Sequence, residues 1–283
     1  MSTTPTPTPT TSTHHESAEV HASAYVDATA RLGQGVVVGP RCHVGPGVVL
    51  EDGVRLLASV HVEGPAVIGR GTMVYPYAVI GMPGQDFKFA PGSPTPGVRI
   101  GSDCVIREHV TIHAATKDER PTIVGDRCYF MVSSHVGHDC LVGNGVILIN
   151  GALLAGHVTV GDKAILSGNT AVHQFCRVGR LAMLSGGVVT SMDLPPFCLC
   201  DHINITNGLN LVGLRRNGVP RDSIDKLRYA YRKVIAKSLP REEALAKLRE
   251  LGQGDPYVHE LAEFVAQSQR GIGRGPGRNS RRD

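Results

Sequence analysis

Aliphatic residues return at every sixth position along the first third of this chain: Val20, Val26, Leu32, Val38, Val44, Leu50, Leu56, Val62, Ile68, Val74 and Ile80. This spacing matches neither the 3.6-residue period of a helix nor the simple alternation of a strand, and it marks a stacked repeat. The register lapses over "GMPGQDFKFAPGSPTPGVR" and returns at Ile100, Ile106 and Ile112. It lapses again over "HAATKDERPTI", then continues from Val124 and Phe130 to Val178 and Leu184. Glycine often follows the aliphatic residue, so each unit reads as a short strand and a corner. Three units close a triangular coil of about 18 residues, with aliphatic side chains inward and coils about 4.8 Å apart. The fold predicted is a parallel β-helix interrupted by two loops.

Beyond about residue 200 the period changes. Ile224, Leu227, Tyr231, Val234 and Ile235 fit one helical face, and Leu245 with Leu248 and Val258 with Leu261, Ala262 and Val265 fit others. Asp255 and Pro256 suit an N-cap and first turn. The chain therefore divides into a Thr/Pro-rich disordered tail over 1–17, a solenoid over 18–200 with loops at 81–99 and 113–123, a helical region over 201–270, and a basic disordered tail over 271–283.

Composition narrows the function. With 34 Gly, no Trp and few aromatics, the core must come from small aliphatic residues, as a regular solenoid requires. The net charge of +4 is mild and much of it sits in the C-terminal tail, which argues against nucleic acid as a partner. Seven scattered cysteines lack the paired spacing of a structural zinc site and read as reduced core fillers of a cytoplasmic protein. The longest apolar run, "VILINGALLAGHVTV", is too short and too polar for a membrane span.

Titratable chemistry gathers in "SSHVGHDCLVGNG", Ser133 to Gly145. A residue at position n lies under n+18, so His138 leads to Gly156 beside His157, and then to Gln174 beside His173. Three successive coils should thus carry imidazoles along one edge. Asp139 can orient His138 only if the chain turns between them, because neighbours in a strand point to opposite faces. A corner there would make His138 a general base acting on a hydroxyl or amine. No nucleophile elbow and no phosphate-binding glycine loop is present.

The motifs "GQDFKF", "SSHVGHDC", "LLAGHVTV", "TAVHQFCRVG" and "GLNLVGLRRNG", in this order, resemble the UDP-N-acetylglucosamine O-acyltransferases over roughly residues 18–270. That family opens lipid A biosynthesis. The resemblance implies a left-handed β-helix, a homotrimer with sites between neighbouring chains, and transfer of an acyl or 3-hydroxyacyl chain from acyl carrier protein to the glucosamine 3-hydroxyl. It assigns His138 as general base, Asp139 as its orienting partner and Gly156 as backbone donor to the oxyanion. Substrate contacts carry over to Asp86, Lys88, His113, His135, His157, His173, Gln174, Asn210 and Arg216. No cofactor and no metal is expected. Arg215, Arg216, Arg221, Lys226, Arg228, Arg232 and Lys233 form a surface suited to an acidic carrier protein. Residues around Met183 to Gly187 correspond to those that measure acyl length.

Four places depart from the family pattern: Ala114 with Ala115, Gly151 after a single Asn150, "CDHINIT", and Val212. They leave room for a different nucleotide sugar or an amino-sugar acceptor. Two other classes compete: a metalloenzyme of the γ-carbonic-anhydrase kind using His138, His157 and His173, and a non-catalytic paralogue that binds carrier protein or nucleotide sugar.

Overall fold

Each six-residue unit forms a strand of two or three residues and then turns, because a β-branched or aliphatic side chain packs inward while the next residues swing the backbone around a corner. The computed structural model describes residues 14–90, 92–116 and 120–276. The strands assemble into three parallel sheets that form the faces of one prism. The register follows the coil length: Glu19 pairs with Val37, and Val37 with Arg55. Across the loops it is kept with longer connections, Ile80 pairing with Ile112 and Ile112 with Val136. The loops therefore bulge out while the ladder runs on.

The periodic aliphatic positions from Leu32 to Leu184 are almost all buried, and they form one continuous core. Only the first coil is open, where Val20 is exposed. All seven cysteines are buried and free, most of them at the ends of turns where a small side chain fits. His14 bridges to Leu32, and Ser17 accepts from the Gly35 N–H at 3.0 Å. The tail expected over 1–17 therefore joins the first coil from His14 onward; its remainder lies outside the described residues.

At the far end, buried Leu194 and Phe197 close the prism. An antiparallel pair follows, Cys198–His202 with Ile205–Leu209, its first strand docked in parallel on Met183 and Leu184. The hexapeptide pattern does not announce this hairpin. Four helices complete the described chain: α1 (Leu211–Arg216), α2 (Arg221–Lys233), α3 (Arg241–Leu251) and α4 (Pro256–Gln267). Asp255 caps α4 by accepting from the Tyr257 and Val258 N–H groups, with Pro256 opening the first turn as expected. Arg180 ties α4 to the solenoid through Glu260 at 2.7 Å. Among the described residues no helix is long and apolar enough to cross a membrane.

The basic tail expected from residue 271 is corrected over Gly271–Gly275. Ile272 bridges to Asp193 and Arg274 to Ile205, and the Gly275 N–H donates to Ser238 Oγ. Composition suggests a solvated end, but the backbone N–H and carbonyl of buried Asp193 gather this segment onto the end of the solenoid. Residues 277–283 lie outside the described chain.

Candidate functional site

A corner after the strand His135–Val136 carries the chain through Gly137 and His138 into Asp139, whose backbone is left-handed at φ 61°. That turn does what extended backbone cannot: it brings two sequence neighbours to the same side. His138 Nδ1 lies 2.7 Å from Asp139 Oδ2. One coil later His157 adopts the same conformation, φ 62°, and its Nε2 comes within 3.7 Å of the same carboxylate oxygen.

Asp139 is only 4% exposed. Burial alone would raise its pKa. The hydrogen bonds from His138, from the Thr116 hydroxyl at 2.7 Å and from the Thr116 N–H outweigh this and hold it below the usual carboxylate value. Its own N–H donates to Thr122 Oγ1 at 2.9 Å, and Arg120 donates to its carbonyl at 3.1 Å. The second loop thus clamps the aspartate from both sides. Because the ionised carboxylate can only accept, His138 presents Nδ1–H to it and keeps its lone pair on Nε2.

Nε2 faces Gly156. A Cβ on Gly156 would lie 2.5 Å from His138 Nε2, so the ring packs against bare backbone and any larger residue would displace it. The stacking expected from the 18-residue coil is the stacking found. The first loop approaches from the other side, where a Cβ on Gly84 would stand 2.7 Å from His138 Cβ. Two glycines, one on the first loop and one on a coil, therefore form the slot in which the imidazole sits.

The slot opens into a cavity of about 480 Å³. His113, His135, His138, Gly156, His173 and Gln174 all line it, with Gln85 from the first loop and the aliphatic side chains of Leu153, Ala171 and Val189. Burial, together with neighbouring His113 and His138, pushes the His135 pKa down to about 4, and Thr111 Oγ1 contacts its Nδ1 at 2.7 Å. His113, lowered by burial and by His138, packs edge-on against His135, and its Nδ1 is buried without a hydrogen-bond partner among the described residues.

The expected row of three imidazoles is corrected. His157 stands edge-on to His138 at 5.1 Å, but its partner on the next coil is Phe175, stacked at 4.6 Å and 9°. His173 falls two residues earlier, on the cavity wall instead of in the row. The other expected contacts lie apart from the cavity. Asp86 accepts from the Lys88 N–H in a local turn, Arg216 is exposed on α1, and Asn210 is buried, capping α1 through the Gly213 N–H and donating to the Leu181 carbonyl.

The departures from the family pattern do not line the cavity either. Ala114 and Ala115 are fully buried and knit the two loops together, their N–H groups donating to the Met82 and Gly97 carbonyls. Gly151 sits at φ 68° with Asn169 Oδ1 where a Cβ would be, and Val212 is exposed.

Among the described residues, two groups place three metal-capable donors within 4.8 Å of one another: His138, Asp139 and His157, and, several coils away, His43, His61 and Glu63. The trio His138, His157 and His173 named for a zinc enzyme is not one of these groups, since Phe175 takes the place beside His157 where His173 was expected. Thr116, Arg120 and Gln85 were missed by the sequence reading. They come from loops, where no period marks them.

Comparison with known proteins sharpens this picture. A family model described as "Udp N-acetylglucosamine O-acyltransferase; Domain 2" matches residues 193–273. A protein of Rhizobium johnstonii named acyl-[acyl-carrier-protein]--UDP-N-acetylglucosamine O-acyltransferase is 42% identical over 92% of this chain and 96% of its own length. A protein of the same name from Alkalilimnicola ehrlichii is 43% identical over 89% and 98%. Among solved structures, a UDP-N-acetylglucosamine acyltransferase from Bacteroides fragilis superposes with a TM-score of 0.86 at 35% identity, covering 90% of this chain and all of that one. Its counterpart from Francisella novicida gives 0.82 at 35% identity, covering 93% and 95%.

Proposed function

This chain belongs to the UDP-N-acetylglucosamine O-acyltransferase family, and from that premise we propose that His138 is the general base by which it acylates a nucleotide sugar. The reaction is transfer of an acyl chain from acyl carrier protein to the 3-hydroxyl of UDP-N-acetylglucosamine, the opening step of lipid A biosynthesis. The observation that carries the role of His138 is its 2.7 Å bond to Asp139 at the cavity wall, with Nε2 turned toward the Gly156 backbone.

The sugar hydroxyl gives its proton to His138 Nε2 as its oxygen attacks the thioester carbonyl. Asp139 stabilises the imidazolium that forms. The Gly156 N–H, which makes no hydrogen bond to the described protein, donates to the developing oxyanion. Collapse of the tetrahedral intermediate breaks the C–S bond, and the imidazolium returns the proton to the departing thiolate of the carrier. Atoms and charge balance without a cofactor.

His113, His135, His173 and Gln174, which line the cavity, hold the sugar and nucleotide, and the aliphatic wall at Leu153, Ala171 and Val189 receives acyl chain; His157 belongs to the same inventory but stands beside it, against Asp139 and Phe175. Asp86, Lys88, Asn210 and Arg216 belong to the same inventory but stand away from this cavity. A homotrimer resolves that, each site drawing residues from two chains. Phe87, fully exposed at the tip of the first loop, suits a contact with a neighbouring copy. The enzyme would work in the cytoplasm, where its carrier partner resides.

The test is turnover. The protein is incubated with UDP-N-acetylglucosamine and a panel of 3-hydroxyacyl and plain acyl carrier proteins, and free thiol and acylated sugar are measured. Transfer that disappears in His138→Ala supports the assignment. Transfer that survives in this variant overturns the base, and a folded wild type inactive with every donor overturns the acceptor, directing the assay to amino-sugar nucleotides.

A further inference from the structure

We propose that Arg270, on the strap that follows α4, is a positioning residue that fixes His173 as the tautomer with Nδ1 bare and Nε2 protonated. The proposal rests on the functional reading above, since it gives a role to one wall of that cavity.

After Gln267 the chain turns back along the end of the solenoid. Asp193, 1% exposed, anchors both flanks of this turn. Its Oδ2 accepts from Ser268 Oγ at 2.7 Å and its N–H donates to the Gly271 carbonyl at 2.8 Å, while its carbonyl accepts from the Gly273 N–H at 3.0 Å. Its other carboxylate oxygen accepts from the Arg177 N–H at 2.8 Å, tying the strap to the coil that follows His173. Farther on, Arg274 exchanges hydrogen bonds with Asn204 and Thr206. Arg270 is thus held between fixed points even though its side chain is exposed.

Arg270 Nη2 stands 3.2 Å from His173 Nδ1. A guanidinium has donors only and stays protonated, so the ring nitrogen facing it must be the acceptor. The alternative, Nδ1–H donating to the Gln174 carbonyl at 3.3 Å, would set an N–H against the N–H of the guanidinium. The acceptor form at Nδ1 leaves Nε2–H as the donor. A nucleotide sugar offers mainly acceptors, in its phosphates and uracil carbonyls, so this tautomer matches the ligand and the other one does not.

The experiment reads the tautomer and the kinetics separately. In wild type with ¹⁵N-labelled histidine, long-range ¹⁵N–¹H correlation should show His173 with Nδ1 unprotonated. In Arg270→Ala this preference should be lost, with KM for UDP-N-acetylglucosamine rising about tenfold, the scale of one lost charge-assisted hydrogen bond, and kcat changing less than about threefold. Arg270→Lys, which keeps a donor, should recover much of the KM. Ser268→Ala, which loosens the strap without touching the pair, should shift KM in the same direction by less. An unchanged tautomer and KM in Arg270→Ala overturns the proposal. So does a parallel fall of kcat, KM and melting temperature that lysine does not rescue, which would make the strap merely structural. The spectrum needs no substrate, so a wild type without turnover would sink the functional reading and still decide this one.

Discussion

The group His138, Asp139 and His157 and the group His43, His61 and Glu63 are built from the same materials, two imidazoles and a carboxylate with donor atoms within 4.8 Å. Their surroundings differ in every respect that matters for chemistry. His43 and His61 point outward from neighbouring strands of one sheet, stacked at 4.4 Å and 3°, with Glu63 reaching back to His61 at 3.3 Å; all three side chains are about one-third exposed. His138 and Asp139 sit on a corner, where left-handed backbone folds them together, two loops exclude water and glycines give the ring its slot. On the flat face the pairing is optional; at the corner geometry imposes it. Composition of a cluster therefore says little until its backbone is known.

The largest break in this comparison should come from removing each base. His138→Ala is expected to lower kcat by about 10²- to 10⁴-fold with its melting temperature near wild type, while His61→Ala should leave turnover within about twofold. Asp139→Asn should lower kcat by about 10²-fold or more, because an amide in place of the carboxylate removes the charge that stabilises the imidazolium. Equal losses in the His138 and His61 variants would dissolve the distinction. Gly156→Ala comes next. Its methyl group would stand 2.5 Å from Nε2, so the ring must move, and a displacement near 1 Å should cost about 10² in rate while the protein remains folded by circular dichroism.

Much of this was legible in the sequence because the coil is a ruler. The six-residue period follows from the size of a three-sided turn, and once the register is set, residues 18 apart must stack; His138 over Gly156 could be read directly. The same ruler shows why the imidazole row was misread. Phe175, not His173, is 18 residues from His157, and a two-residue error on a corner moves a side chain from the edge to the face. What was not legible comes from segments that obey no period. Thr116 and Arg120 reach Asp139 from a loop, and Arg270 meets His173 from 97 positions away, at the last residue of the region read as helical. The order of these segments is set by tertiary anchors such as Asp193, and nothing local announces them.

A smaller effect separates the two regions by pH. His135, behind the corner, is half-buried, and desolvation lowers its pKa from 6.5 to about 4, whereas an unfolded chain would bind that proton near 6.5. Between these values the unfolded state holds more protons than the native one, so stability should rise with pH across this window and fall as the solution is acidified through it. His135→Gln, which cannot titrate, should flatten that part of the curve in urea denaturation at successive pH values. An unchanged slope would mean that His135 titrates normally in the folded protein.

The smallest change is expected on the flat face. Glu63 and its two imidazoles are about one-third exposed, in a setting where an ion pair contributes about 0 to 1 kcal/mol and salt screens it. Glu63→Gln should therefore shift the unfolding free energy by less than about 1 kcal/mol, with the shift shrinking further at high ionic strength. Glu63 does have one structural peculiarity: its carboxylate lies where a Cβ on Gly45 would be 3.1 Å away, so the side chain rests on the coil below. If that contact holds the carboxylate rigidly, the ordering entropy is already lost and the pair should survive high salt. A salt-resistant loss well above 1 kcal/mol in Glu63→Gln would then move this cluster closer to the corner in kind, and the contrast between face and corner would have to be redrawn around glycine contacts instead of burial.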